Sequence, residues 1–204
     1  AEVFEPGQVK RNTDPAHTRF VVGEPHGRIT PRLDEVAGIL SAAGKTEMTA
    51  NIWGAKWSKL AANTFMAFEA ACDLHVWQIP QNPRYLSMCI KLGREAAEVG
   101  KALGYVMEPL FGLSAEEFLG ATDEGIRALL MKLIGDVGEA ARSCVKQDLI
   151  KGRQTEVDYL NGLVVAKGRQ AGVPTPLNEA LTDLMQQIER GKLKPDRANA
   201  ELLE

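Results

Sequence analysis

The run Thr155-Glu156-Val157-Asp158-Tyr159-Leu160-Asn161-Gly162 concentrates two carboxylates, a hydroxyl and a primary amide in one short stretch. Its spacing predicts a single helix whose buried face carries Val157, Leu160, Val164, Val165, Gly168 and Ala171, with Asn161 in the middle. Asparagine is a poor helix former, and a buried amide requires partners. Asn161 therefore either bonds a loop or a neighbouring helix end, which is the commoner use, or contacts a bound molecule. Glu156 falls in the first turn, at the edge of that face. It is either a carboxylate favoured by the helix N-terminus or the cleft-edge partner of a cation or hydroxyl. A second pairing lies upstream, where Lys59 and Asn63 are four residues apart and stack on one helix face. That face continues as Met66, Ala67 and Ala70, without the charges that usually solvate a helix. The pair could line a cleft, or the lysine could snorkel over a partly covered surface.

These side chains need elements to hold them. Residues 1–50 read as α/β. A strand is expected at Arg19–Gly23, a turn at Glu24–Gly27 and a second extended piece at Arg28–Thr30. Thr30-Pro31 then supplies an N-cap and a first-turn proline for a helix ending at Gly44. From residue 51 onward the pattern is almost all helical. One helix is expected from about Asn51 to Ala71, with Trp53, Trp57, Leu60, Ala61, Thr64 and Phe68 as its core stripe. Asn82-Pro83 opens another that ends near Gly104, and Ser114–Glu117 is a capping box. A long helix is expected from about Thr122 to Lys151. The Thr155 helix runs to Gly172, and Thr175-Pro176 opens a last helix stopped by Gly191.

Composition narrows the chemistry. A hydrophobic share of 45% supports a real core. A net charge of −3 gives no electrostatic reason to expect nucleic acid or an anionic membrane as a partner. No apolar run reaches the length of a membrane span, and the first residues do not read as a signal peptide. Cys72, Cys89 and Cys144 are odd in number and lack C-x-x-C spacing, which fits a reducing cytoplasm rather than a disulfide framework. His17, His26 and His75 lack metal-pair spacing, so no metal is expected. Neither a Gly-x-Ser-x-Gly elbow nor a phosphate-binding Gly-x-x-x-x-Gly-Lys loop is present, and Gly-x-Gly-x-x-Gly is missing. Gly135 and Gly138 fall inside a predicted helix, where they cannot cradle a pyrophosphate.

Three stretches resemble the ketopantoate reductase (2-dehydropantoate 2-reductase) family. Trp57-Ser58-Lys59-Leu60-Ala61-Ala62-Asn63 is similar to its Trp-x-Lys-Leu-x-x-Asn. Thr155–Gly162 is similar to its Thr-Glu-x-Asp-x-x-Asn-Gly, and Gly172-Val173-Pro174-Thr175-Pro176-Leu177-Asn178 to its Gly-Val-x-Thr-Pro-x-Asn. Phe20–Glu24 resembles the close of the family's nucleotide domain. The resemblance implies a mainly α fold: a bundle-like helical C-terminal domain at 51–204, on the substrate and dimer side. Residues 1–50 would be the terminal strands and helix of a truncated Rossmann domain.

The same resemblance implies NADPH-dependent reduction of a small 2-oxo acid, with the cofactor's main binding motif absent from this chain. Lys59 would be the general acid for the alkoxide formed as hydride arrives. Glu156 would bind the substrate hydroxyl or orient the lysine. Asn63, Ser143 and Asn161 would lie on the substrate side, and a homodimer is expected. The departures are Ala67, where the family often has another Asn, and Ala141, Ser143 and Cys144, where it tends to have an Asn and paired hydroxyls. They make another 2-oxo acid a candidate substrate. The alternative expectation is a helical dimerisation or binding module without catalysis, using apolar residues such as Ile126, Leu129, Leu130, Leu133 and Val137.

Overall fold

A computed structural model describes residues 5–10, 16, 18–109, 112–137 and 142–203, with side chains at 132–137 excepted. His17, Gly138 and Ala141 lie outside the described residues, as do the side chains of Leu133 and Val137. The chain opens with β1 (Arg19–Val22), α1 (Pro31–Ser41) and β2 (Lys45–Met48). The two strands are parallel, in register from Arg19 with Lys45 to Val22 with Met48. A parallel pair needs a crossover, and α1 supplies it. Thr30 caps α1 as expected, its hydroxyl accepting the Leu33 N–H at 3.3 Å. The expected second extended piece at Arg28–Thr30 joins no sheet among the described residues. The strand forms instead at Lys45–Met48, after Gly44, where a Cβ would lie 2.6 Å from the Thr18 carbonyl oxygen.

The remainder is helical. The expected Asn51–Ala71 helix is two, α2 (Ile52–Asn63) and α3 (Phe65–Ala71). At their junction the Thr64 hydroxyl donates back to the Ala61 carbonyl at 2.9 Å. Back-bonding of this kind bends a helix. Helix α4 (Pro83–Ala102) is capped by Asn82, whose side-chain oxygen accepts from the Arg84 and Tyr85 N–H groups. The capping box opens α5 (Ala115–Gly120), with Ser114 and Glu117 bonding each other's backbone.

The expected long helix from Thr122 is also two elements, α6 (Asp123–Val137) and α7 (Cys144–Ile150). Ser143 is extended and caps α7, so a fresh helix begins there. The expected Thr155 helix is corrected too. A 3₁₀ turn spans Val157–Tyr159, and α8 (Asn161–Ala171) begins only after Leu160. Glu156, Asp158 and Asn161 therefore do not share a helix. Helix α9 (Pro176–Glu189) follows, then a C-terminal 3₁₀ segment (Arg197–Leu203) that the sequence reading did not anticipate.

Helix α4 is central. Against one side of it, Phe68, Leu74, Leu92, Val157, Leu181 and Met185 form a core joining α3, α4 and α9. On the other, Trp57, Leu60, Ala61, Phe118, Ile126 and Val164 join α2, α4, α5, α6 and α8. Most of the expected stripe on α2 and α3 is buried, but Trp53 is 51% exposed and donates its indole N–H to the Pro25 carbonyl at 3.0 Å. Among the described residues no helix is long and apolar enough to cross a membrane.

Candidate functional site

Helix α2 is held by the residues beside Lys59. Trp57 is buried, stacks on Tyr105 at 5.1 Å and donates to the Ala96 carbonyl at 2.8 Å. Gly100 makes this approach of α2 to α4 feasible, since a Cβ there would lie 2.2 Å from the Trp57 Nε1. Ser58 donates to the Glu108 carbonyl at 2.8 Å. With its neighbours anchored, Lys59 is exposed and forms no hydrogen bond or ion pair among the described residues. Asn63, the last residue of α2, is half-buried at the α2–α3 junction.

The segment carrying Glu156 is pinned on both sides by α9. The Glu189 carboxylate accepts from the Thr155 N–H at 2.8 Å and its hydroxyl at 2.6 Å, and Gln186 donates to Asp158 at 2.8 Å. Thr155 and Asp158 are thereby structural, and Glu156 is left exposed between them. The Cys144 thiol donates to the Glu156 Oε2 at 3.2 Å, and its sulfur lies 3.8 Å from the Met66 Sδ. Burial, with the neighbouring carboxylate second, raises the Cys144 thiol to about 11, so at neutral pH the proton stays on sulfur. The first turn of α7, the second residue of α3 and the Glu156 segment thus meet at one place.

That turn is fixed from behind. The Ser143 hydroxyl accepts from the Lys146 N–H at 3.2 Å, and the Ser143 N–H donates to the Glu69 carboxylate at 3.3 Å. Glu69 is fully buried, and its Oε1 has no hydrogen-bond partner among the described residues. Burial pushes its carboxyl up to about 7, against the lowering effects of Ser143, Lys146 and Arg142. Lys146, also buried, donates to the Leu74 carbonyl at 2.5 Å and pairs with Asp73 at 3.1 Å. Ser143 is only 7% exposed and serves as the cap of α7. Cys144 is the residue of this turn that reaches Glu156.

Asn161 has the structural partners that a buried amide requires. It is fully buried and donates to the Thr64 carbonyl at 3.0 Å and to the Asn178 side-chain oxygen at 2.9 Å. Asn178 in turn donates to the Leu92 carbonyl and to Glu95, whose carboxylate accepts the Leu177 and Asn178 N–H groups at the start of α9. This network ties the start of α8 to the residue following Asn63. The structure therefore brings Glu156 against the Ser143–Cys144 turn and locks the Asn63 junction to Asn161. A groove of about 260 Å³ between α8 and α9, lined by residues such as Asp158, Arg169 and Glu179, contains none of the expected site residues.

Sequence reasoning missed Glu69 and the Cys144–Glu156 contact. Glu69 had a signal: it is the lone charge in the apolar run Phe65–Cys72, where ionisation is costly. The contact had none, because nothing local announces that α7 restarts at Cys144.

The family model described as ketopantoate reductase PanE/ApbA C terminal matches residues 51–189. The chain is similar to 2-dehydropantoate 2-reductases of Archaeoglobus fulgidus (27% identical, over 83% of this chain and 52% of that protein) and Mesorhizobium japonicum (29%, over 93% and 53%). It spans about half the length of these curated relatives. Among solved structures it resembles a PanE/ApbA family ketopantoate reductase from Ralstonia eutropha, with TM-score 0.65, 26% identity, and coverage of 86% of this chain and 53% of that one. It also resembles D-mandelate dehydrogenase solved with NADH, with TM-score 0.64, 25% identity, and coverage of 79% and 50%. Lys59, Cys144 and Glu156 all lie within the matched span, and the chain belongs to the ketopantoate reductase family.

Proposed function

We propose that this chain is the substrate-side, C-terminal domain of an NADPH-dependent reductase that converts a small 2-oxo acid, 2-dehydropantoate or an analogue, to the 2-hydroxy acid. The observation that carries the reading is an exposed Lys59, without a hydrogen bond or ion pair among the described residues, one helical turn from Asn63, whose junction Asn161 locks through the Thr64 carbonyl. The Nζ of Lys59 supplies the proton to the substrate's carbonyl oxygen, and its charge stabilises the developing alkoxide. Asn63 positions the substrate, and the exposed Glu156 carboxylate accepts from a substrate hydroxyl or orients Lys59.

The nicotinamide cofactor, when bound, supplies the hydride. Among the described residues no glycine turn is assigned to its pyrophosphate. The described glycines with close neighbours include Gly54, Gly93, Gly100 and Gly168, which admit Val106, Phe118, Trp57 and Thr175 in internal contacts. No residue of this chain is therefore assigned to the cofactor. The parallel β1–α1–β2 unit is assigned to the close of a nucleotide-binding domain, the part of the reductase expected to hold it. A homodimer in the cytoplasm completes the proposal, with the free thiols of Cys72, Cys89 and Cys144 suited to a reducing compartment.

The test is Lys59→Ala in the complete reductase that carries this chain. Turnover of 2-oxo acids should fall by a factor of about 10²–10⁴, with the thermal midpoint unchanged. Retained turnover would refute the assignment. A non-catalytic binding module is the second reading, favoured by the complete burial of Ala67 and by Cys144 in place of a hydroxyl residue. It predicts no turnover even with Lys59 in place.

A further inference from the structure

We propose that Cys144 is a positioning residue: its S–H holds one oxygen of the Glu156 carboxylate, so that the other faces the substrate. The inference rests on the reductase reading of Lys59 and Glu156. An exposed glutamate on a short segment has three free side-chain torsions, and its carboxylate is useful only when held in one orientation. Here the backbone of that segment is fixed by Thr155 on Glu189 and Asp158 on Gln186. Those bonds do not restrain the Glu156 side chain. Among the described residues, the hydrogen bond that does so is from the thiol, 3.2 Å from Oε2.

The thiol is itself well placed. Met66 lies against the sulfur at 3.8 Å. The turn beneath it is anchored by Glu69 on the Ser143 N–H and by Lys146 on Leu74 and Asp73. A thiol is a weak donor and a poor acceptor. It can fix the carboxylate without adding a competing charge or a strong acceptor beside it. With the thiol proton retained at neutral pH, the bond is S–H to carboxylate and not thiolate repelling carboxylate.

The test uses the complete reductase and the variants Cys144→Ala, Cys144→Ser and Glu156→Gln. Cys144→Ala should lower kcat/KM by about fivefold to tenfold, the loss of one modest hydrogen bond to a charged group, and Cys144→Ser should restore it. In the Glu156→Gln background the further change to Cys144→Ala should have little effect, since the residue acts through Glu156. Should Glu156→Gln leave too little turnover to measure, infrared spectroscopy decides: the S–H stretching band absent from Cys144→Ala should shift in Glu156→Gln.

An equal effect of Cys144→Ala with and without Glu156, or an S–H band that does not respond to Glu156→Gln, would overturn the proposal and leave the reductase reading standing. Turnover that survives Lys59→Ala would instead overturn the reading on which it rests.

Discussion

Replacing Glu69 by glutamine should make the protein more resistant to alkaline conditions. Glu69 is wholly buried on α3, against the start of α7. Lys146 and Arg142 act on it from the α7 side, and the Cys89 thiol of α4 feels its charge. Helix α9 and the C-terminal 3₁₀ segment bring Leu181, Leu184, Met185 and Ala200 to the same core. The two cations are not enough to offset burial, which lifts the carboxyl from the ordinary value of 4.5 to about 7. The folded state therefore holds this proton more tightly than the unfolded chain. The resulting stability is fully present below pH 4.5 and is lost as pH rises through about 7. The full loss is about 3 kcal/mol, of which about 2.5 kcal/mol falls between pH 5 and pH 8. Glutamine keeps an acceptor for the Ser143 N–H and has no proton to lose. The unfolding free energy of Glu69→Gln relative to wild type should thus rise by about 2.5 kcal/mol between those pH values, or about 5–10 °C in thermal midpoint for a chain of this size. Urea denaturation of both proteins at pH 5 and pH 8 measures it. A difference that stays constant with pH would refute the reasoning, because it would mean Glu69 titrates alike in the folded and unfolded states.

Two further substitutions test the framework around the site. Asn161→Ala removes both bonds of a buried amide and leaves the Thr64 carbonyl and the Asn178 side-chain oxygen each short of a donor. It should cost about 2–4 kcal/mol in urea denaturation, and a cost below about 0.5 kcal/mol would show that the network is dispensable. Gly100→Ala places a methyl group 2.2 Å from the Trp57 Nε1 and 3.2 Å from the Met107 Sδ. Overpacking should exceed the roughly 1 kcal/mol that alanine returns to α4, giving a net loss of about 1–3 kcal/mol with a shift in tryptophan emission. An unchanged midpoint and emission would contradict the tight α2–α4 contact.

Much of the molecule was written locally. Caps announce themselves within three or four residues, and Thr30, Asn51, Asn82 and Ser114 each accept a backbone N–H at a helix start. Apolar periodicity likewise marked most of the buried face of α2 and α3, and the type and spacing of Lys59, Asn63 and Glu156 raised the family resemblance. Exposure was less legible: Trp53 has the spacing of a core residue, but a bond to Pro25 holds it at the surface.

Tertiary structure decided where helices break and what the polar residues do. Thr64 interrupts α2 and α3 where Asn161 takes its carbonyl, Ser143, its N–H bonded to Glu69, restarts the chain as α7, and Glu189 and Gln186 draw Thr155 and Asp158 out of α-helical geometry. In each case a partner far away in sequence competes with the local i→i+4 bond. Periodicity records only the local preference, so it ran straight through all three breaks. The same physics separates Glu156 from Asn161. Their types were visible in one motif, but only the packing of α3, α7 and α9 made one an exposed carboxylate on a thiol and the other a buried tie between helices.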